Sequence, residues 1–81
     1  MKLPPDVAGH DLVRALGRLG YVATRQSGSH IRVTAVTAQG EHHLTVPDHN
    51  PIKVGTLNAI LRDVAARSGL SRDELLDRLF P

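Results

Sequence analysis

Ser27-Gly28-Ser29-His30-Ile31-Arg32-Val33-Thr34-Ala35 is the stretch that decides how this chain folds. In an extended backbone Ile31, Val33 and Ala35 fall on one side and His30, Arg32 and Thr34 on the other, the period-two pattern of a strand with one buried face. Ser27-Gly28-Ser29 is a turn, and ahead of it Tyr21 to Gln26 carries β-branched and aromatic residues in extended register. His30 therefore stands on a glycine turn between two strand-like runs and shares its face with Arg32. There a polar side chain can reach a bound ligand instead of the core.

Working outward, Thr37-Ala38-Gln39-Gly40 is a loop, and Glu41 to Val46 is a further strand with Leu44 and Val46 inward and His43 and Thr45 outward. Pro47 stops that ladder or sits at a sheet edge. Asp48-His49-Asn50-Pro51 is a second loop rich in turn formers. Beyond it Val54, Leu57, Ile60, Leu61, Val64 and Ala65 trace the apolar stripe of a longer helix ending at Ser68-Gly69. Ser71 opens a last short helix with Glu74 at capping-box spacing and Leu75, Leu76, Leu79 and Phe80 as its buried side. Upstream, Leu12, Val13, Leu16 and Leu19 recur at helical spacing over Gly9 to Leu19, with Asp11 in the first turn and Gly20 as the cap. Residues 1–8, with Pro4-Pro5, read as a loose lead-in. The order α-β-β-β-α-α implies one α+β domain over residues 1–81, a three-stranded antiparallel sheet with helices packed on one face.

At 81 residues there is room for one core. Tyr21 and Phe80 are the only Phe, Tyr or Trp residues, so that core is aliphatic and a base-stacking platform, which needs several rings on one surface, is almost excluded. The absence of cysteine removes disulfides, thiolate catalysis and cysteine-based zinc sites. No run has signal-peptide or membrane-spanning character, which leads us to expect a cytoplasmic protein with no membrane contact. The formal net charge is +2, unevenly spread. Residues 1–35 hold Lys2, Arg14, Arg18, Arg25 and Arg32 against Asp6 and Asp11, an excess of +3 around the Gly28 turn that suits a polyanion such as RNA.

Five histidines raise the question of a metal. His42 and His43 are adjacent on a strand and project to opposite faces, so they cannot chelate one ion together; His30, His43 and His49 converge only if the fold gathers them, and no carboxylate sits at ligand spacing. No metal or other cofactor is expected. His30 is either an idle turn residue or a general acid or base, since histidine, with an ordinary pKa of about 6.5, takes and returns a proton near neutrality. The Gly28 turn can aim backbone N–H groups at a phosphate, with Arg25 and Arg32 adding charge. Gly55-Thr56, near a helix start, either cradles a phosphate or lets the helix pack closely on the sheet. Nucleophile elbows and phosphate-loop lysine motifs are missing, and no paired carboxylates lie near the histidines.

The succession Gly9-His10-Asp11-Leu12-Val13 through Leu16 and Leu19-Gly20-Tyr21, then Arg25-Gln26-Ser27-Gly28-Ser29-His30, Val46-Pro47-Asp48-His49, Gly55-Thr56-Leu57 with Ile60-Leu61, and Gly69-Leu70-Ser71 before Glu74 resembles the HicA toxin family over nearly the whole chain. The resemblance implies a fold like the double-stranded-RNA-binding domain, mRNA cleavage without a metal, and neutralisation by a HicB antitoxin. It implies that His30 is catalytic and that Gly28 and Ser29 shape its turn. Arg32 first, and Arg25 after it, are RNA contacts on physical grounds. Ile31 departs from the family pattern, standing where an aromatic or second histidine is frequent, and Lys2 and Lys53 are the only lysines, a reduced basic surface for phosphate neutralisation.

Two other readings compete with an endoribonuclease. One is an RNA-binding module of the same fold without catalysis, since double-stranded RNA is read by shape and backbone and needs no aromatic side chains. The other takes Val64 to Leu75 as a helix-turn-helix with Arg67 and Arg72 near its turn. Its second helix carries Asp73, Glu74 and Asp77, which repel DNA phosphates, so no direct DNA binding by this chain alone is expected.

Overall fold

The structure is a computed structural model that describes residues 6–81. Helix α1 (Gly9–Leu16) tightens into a 3₁₀ turn over Gly17–Leu19, followed by β1 (Val22–Ser27), β2 (His30–Thr37), β3 (Gly40–Pro47), α2 (Val54–Ser68) and α3 (Arg72–Leu79). The sheet runs β1-β2-β3, antiparallel throughout. The expected α-β-β-β-α-α order and α+β class are those of the protein.

The alternation in β2 does what its period requires. Ile31, Val33 and Ala35 are buried with Leu44 and Val46 of β3 under Leu12 and Leu16 of α1, Leu57, Ile60, Leu61 and Val64 of α2, and Leu75, Leu76 and Leu79 of α3. All of this core lies on one face of the sheet. Among the described residues nothing packs over the opposite face. Gly20, at φ +91°, takes the left-handed conformation that ends the first helical segment, and Gly69, at φ +70°, does the same for α2. Ser71 and Glu74 form the full capping box at α3: the Ser71 hydroxyl accepts from the Glu74 N–H at 3.1 Å and the Glu74 carboxylate accepts from the Ser71 N–H at 3.0 Å. Hydrogen bonding to the Ser71 backbone N–H first, and to the Ser71 side chain after it, holds the Glu74 carboxyl below its ordinary titration range.

Three expectations need correction. Of the lead-in, residues 1–5 lie outside the described residues, but Val7 and Ala8 are buried, and the Val7 carbonyl accepts from the Ile52 N–H at 2.8 Å, so this part of it is packed chain. Val54 is 69% exposed: the core contacts of α2 begin at Leu57, because its first turn lies past the edge of the core. Gly55 does not serve close packing, since a Cβ there would meet nothing within 4 Å. A further feature has no counterpart in the sequence pattern. Every residue of β1 is exposed, so the strand is held by its ladder to β2, with a bulge at Thr24 between Ala23 and Arg25.

Among the described residues no helix is long and apolar enough to cross a membrane. The helices of the supposed helix-turn-helix are core elements: Leu75, Leu76 and Leu79 are buried against α2, and the Arg72 guanidinium donates to the Asn58 side-chain oxygen at 2.8 Å.

Candidate functional site

His30 is the first residue of β2, opposite Ser27 on β1 and Pro47 on β3, and it is exposed. Only Gly28 and Ser29 separate the two strands. Gly28 has φ +57° while Ser29 stays out of the left-handed region, the arrangement of a two-residue hairpin turn with glycine first. A Cβ at Gly28 would meet nothing within 4 Å, so backbone conformation, not space, demands glycine there. The turn brings Ser29 against the loop after β3, where the Asp48 N–H donates to the Ser29 carbonyl at 2.6 Å.

That loop is fastened on its other side by the start of α1. The Gly9 N–H donates to the His49 carbonyl at 2.9 Å, and the backbones approach so closely that a Cβ on Gly9 would lie 2.8 Å from Asp48 Cα and inside contact with the Pro47 carbonyl oxygen. The consequence is a fixed meeting of three segments: the β1–β2 turn, the β3–α2 loop and the first turn of α2. His30, Thr45, Pro47, His49, Lys53 and Thr56 line an open depression there of about 340 Å³. It is lined by two imidazoles, one ammonium group and two hydroxyls, and by no carboxylate. Lys53 occupies the cap position of α2 and no side chain caps that end, so the unpaired N–H groups and positive dipole end of the helix border the same space. An anion with a transferable proton nearby fits such a lining.

Arg25 and Arg32 are brought together but stay outside the depression. They are register partners on the bare face, Arg32 facing Arg25 on one side and Thr45 on the other. Among the described residues neither has a carboxylate partner. Like charges directly opposed destabilise a strand pair, a cost that a bound polyanion relieves.

The other histidines are engaged elsewhere. The His42 ring is buried between Tyr21 and Asp63: the Asp63 carboxylate accepts from Nε2 at 3.2 Å, which leaves Nδ1 to accept from the Tyr21 hydroxyl at 2.6 Å. Burial first, and the Asp63 charge second, push the Tyr21 phenol above its ordinary 10.0, against an opposing pull from Arg67. On the bare face the His43 Nδ1 meets the Thr34 hydroxyl at 2.8 Å, and that hydroxyl meets the Thr24 hydroxyl at 3.3 Å. His10 lies 3.6 Å from the Asp11 carboxylate. Among the described residues no group of three or more His, Cys, Asp or Glu side chains is placed to hold a metal ion.

The sequence points to His30 and leaves Gly55-Thr56 between cradling a phosphate and close packing of the helix; the structure puts His30 and Thr56 in one lining. Of the histidine trio that the fold would have to gather, it gathers His30 and His49 and leaves His43 out. Lys53, Thr45 and Pro47 were not foreseen as site residues. A signal existed for the strand pair: counting outward from a turn at Ala38-Gln39 sets Pro47 opposite His30 and Thr45 opposite Arg32.

Residues 9–65 match the family model described as the HicA toxin of bacterial toxin-antitoxin. This span contains every residue that lines the depression and stops short of α3. No curated protein and no solved structure matches the chain.

Proposed function

The chain belongs to the HicA family, toxins of bacterial toxin-antitoxin systems, and on that premise we propose that it is an endoribonuclease that cleaves mRNA without a metal, with His30 in proton transfer, and that a HicB-type antitoxin neutralises it. The observation that carries the reading is His30 itself, exposed at the rim of a depression lined by cationic and hydroxyl groups and free of carboxylates. A phosphodiester is drawn to that lining, and an imidazole beside it can take the proton of a ribose 2′-OH or supply one to the departing 5′ oxygen. Arg32 and Arg25 on the bare face hold the flanking backbone by charge. Gly28 and Ser29 set the position of His30 through their turn and offer backbone N–H groups to phosphate. Because a fold of the double-stranded-RNA-binding type reads backbone and shape, the shortage of aromatic residues is no obstacle. Its substrate makes the cytoplasm its place of action, and the acidic residues of α3 argue against DNA binding by this chain alone.

The test is inducible expression of the wild type beside His30→Ala, with growth and full-length mRNA followed in the same cultures. Growth arrest and mRNA loss with the wild type only, and a purified variant slower by about 10² to 10⁴ in rate, is the expected result. Cleavage by His30→Ala at the parent rate would overturn the role of His30. A folded wild type that shifts RNA in a gel but yields no product, in vitro or in cells, would make the chain a non-catalytic RNA-binding module.

A further inference from the structure

Resting on the ribonuclease reading, we propose that His49 is a second catalytic residue: His30 and His49 form an acid–base pair across the depression, and Lys53 and Thr56 hold the scissile phosphate between them. Three of the five histidines are engaged by protein partners, His10 with Asp11, His42 with Tyr21 and Asp63, His43 with Thr34. The rings of His30 and His49 have none among the described residues, and these two line the same depression. They reach it from different segments, His30 from the head of β2 and His49 from the loop after β3. The backbone bonds from Asp48 to Ser29 and from Gly9 to His49 fix one segment against the other.

The chemistry of RNA cleavage calls for two proton carriers so placed. As the 2′ oxygen attacks phosphorus, its proton passes to one imidazole and the P–O2′ bond forms. The P–O5′ bond breaks on the opposite side, and the other ring, entering as imidazolium, gives its proton to the leaving 5′ oxygen. The products are a 2′,3′-cyclic phosphate and a 5′-hydroxyl end. One proton is taken and one returned, so no other reactant is required. The attacking and leaving oxygens lie on opposite sides of phosphorus, so a single ring cannot serve both at once. Among the side chains lining the depression, histidine alone has an ordinary titration near neutrality, and His30 and His49 are its two histidines. The Lys53 ammonium and the amino end of α2 then face the non-bridging oxygens, where negative charge builds in the transition state.

The test compares a short RNA bearing one cleavable linkage with the same RNA carrying sulfur at the bridging 5′ position, a leaving group that departs without a proton. His30→Gln, His49→Gln and the control His43→Gln are assayed beside the wild type, after circular dichroism shows that each is folded. Both depression variants should lose about 10² to 10⁴ in rate on the ordinary linkage, and one of them, but not the other, should recover on the sulfur linkage. The wild-type pH–rate profile should be bell-shaped, each of the two variants lacking one limb, while His43→Gln keeps the whole bell. His49→Gln cutting ordinary RNA at the parent rate, or both variants failing equally on both substrates, would overturn the pair and leave the ribonuclease reading standing. A folded wild type that cuts neither substrate would remove the ribonuclease reading and the pair with it.

Discussion

Gly9→Ala isolates the contact on which the assembly of the site depends. The new Cβ would sit 2.8 Å from Asp48 Cα and 3.0 Å from the Pro47 carbonyl carbon, and closer still to the Pro47 carbonyl oxygen. All three are backbone atoms, so no change of rotamer relieves the clash. Carbon pairs settle at about 3.5–4.0 Å, which requires the loop to retreat by about 1 Å from α1. That retreat stretches the Gly9–His49 bond, worth about 0.5–1.5 kcal/mol, and overpacking of this kind costs about 1–3 kcal/mol in general. Alanine's better helix propensity returns at most about 1 kcal/mol. The net loss should be about 1–3 kcal/mol, with each 1 kcal/mol lowering Tm by about 4–8 °C in a chain of this size. Activity should fall further than stability. A shift of about 1 Å in a reacting group can cost about 10²-fold in rate, and His49 is carried by the displaced loop. Urea and thermal unfolding, with RNA cleavage assayed well below Tm, measure both effects. Gly17→Ala is the internal control: its φ is −57° and its Cβ would meet nothing within 4 Å, so it should be neutral or stabilising by up to about 1 kcal/mol. A Gly9→Ala protein that matches the wild type in midpoint and rate would refute the claim that α1 holds this loop in place.

Arg25→Ala and Arg32→Ala should each weaken RNA binding without regard to sequence and flatten the plot of log affinity against log salt by about 0.7 per arginine for single strands, measured by titration at several salt concentrations. Unchanged slopes in both would remove the bare sheet face from the RNA path. Tyr21→Phe leaves the buried His42 Nδ1 without its donor and should cost about 1–3 kcal/mol at neutral pH. It should also change the alkaline limb of the stability profile. The folded state holds the phenol proton above the ordinary 10.0, so that contribution is complete below pH 10 and is lost as pH rises through the folded value. Urea midpoints compared on either side of pH 10 should therefore fall more for the wild type than for Tyr21→Phe, and parallel curves would contradict the assignment.

The parts of the molecule that announce themselves in the sequence are those in which one residue type answers one local demand. The alternation from Ile31 to Ala35, the stripe from Leu57 to Val64 and the Ser71–Glu74 spacing each carry their structure in a few neighbouring positions. The site is only half of this kind. His30 is legible because a glycine turn precedes it, but its meeting with His49 and Lys53 depends on register and on a backbone approach at Gly9 that no periodicity encodes. The exposure of β1 was hidden for a related reason: Val22 and Thr24 suit a strand, yet whether a layer covers them depends on how far the helices extend. Val54 misleads in the same way, an apolar residue in phase with its stripe but one turn too early to reach the core.

A chain this small can cover one side of its sheet, and its liabilities gather on the side and at the end left open. Opposed arginines, two imidazoles without a partner among the described residues and an uncapped amino end of α2 lie on the bare face or around the depression. Elsewhere the same chain satisfies equivalent groups: α3 has its complete capping box, the amino end of α1 is met by the His49 carbonyl, and buried His42 is bonded at both ring nitrogens. The unmet groups are thus not a general looseness of a marginal core. All of them are hydrogen-bond donors, cationic groups or groups able to become cationic, and a phosphodiester backbone would satisfy every one. That common chemistry, more than any single residue, favours an RNA ligand over an apolar or acidic-pocket substrate for this site.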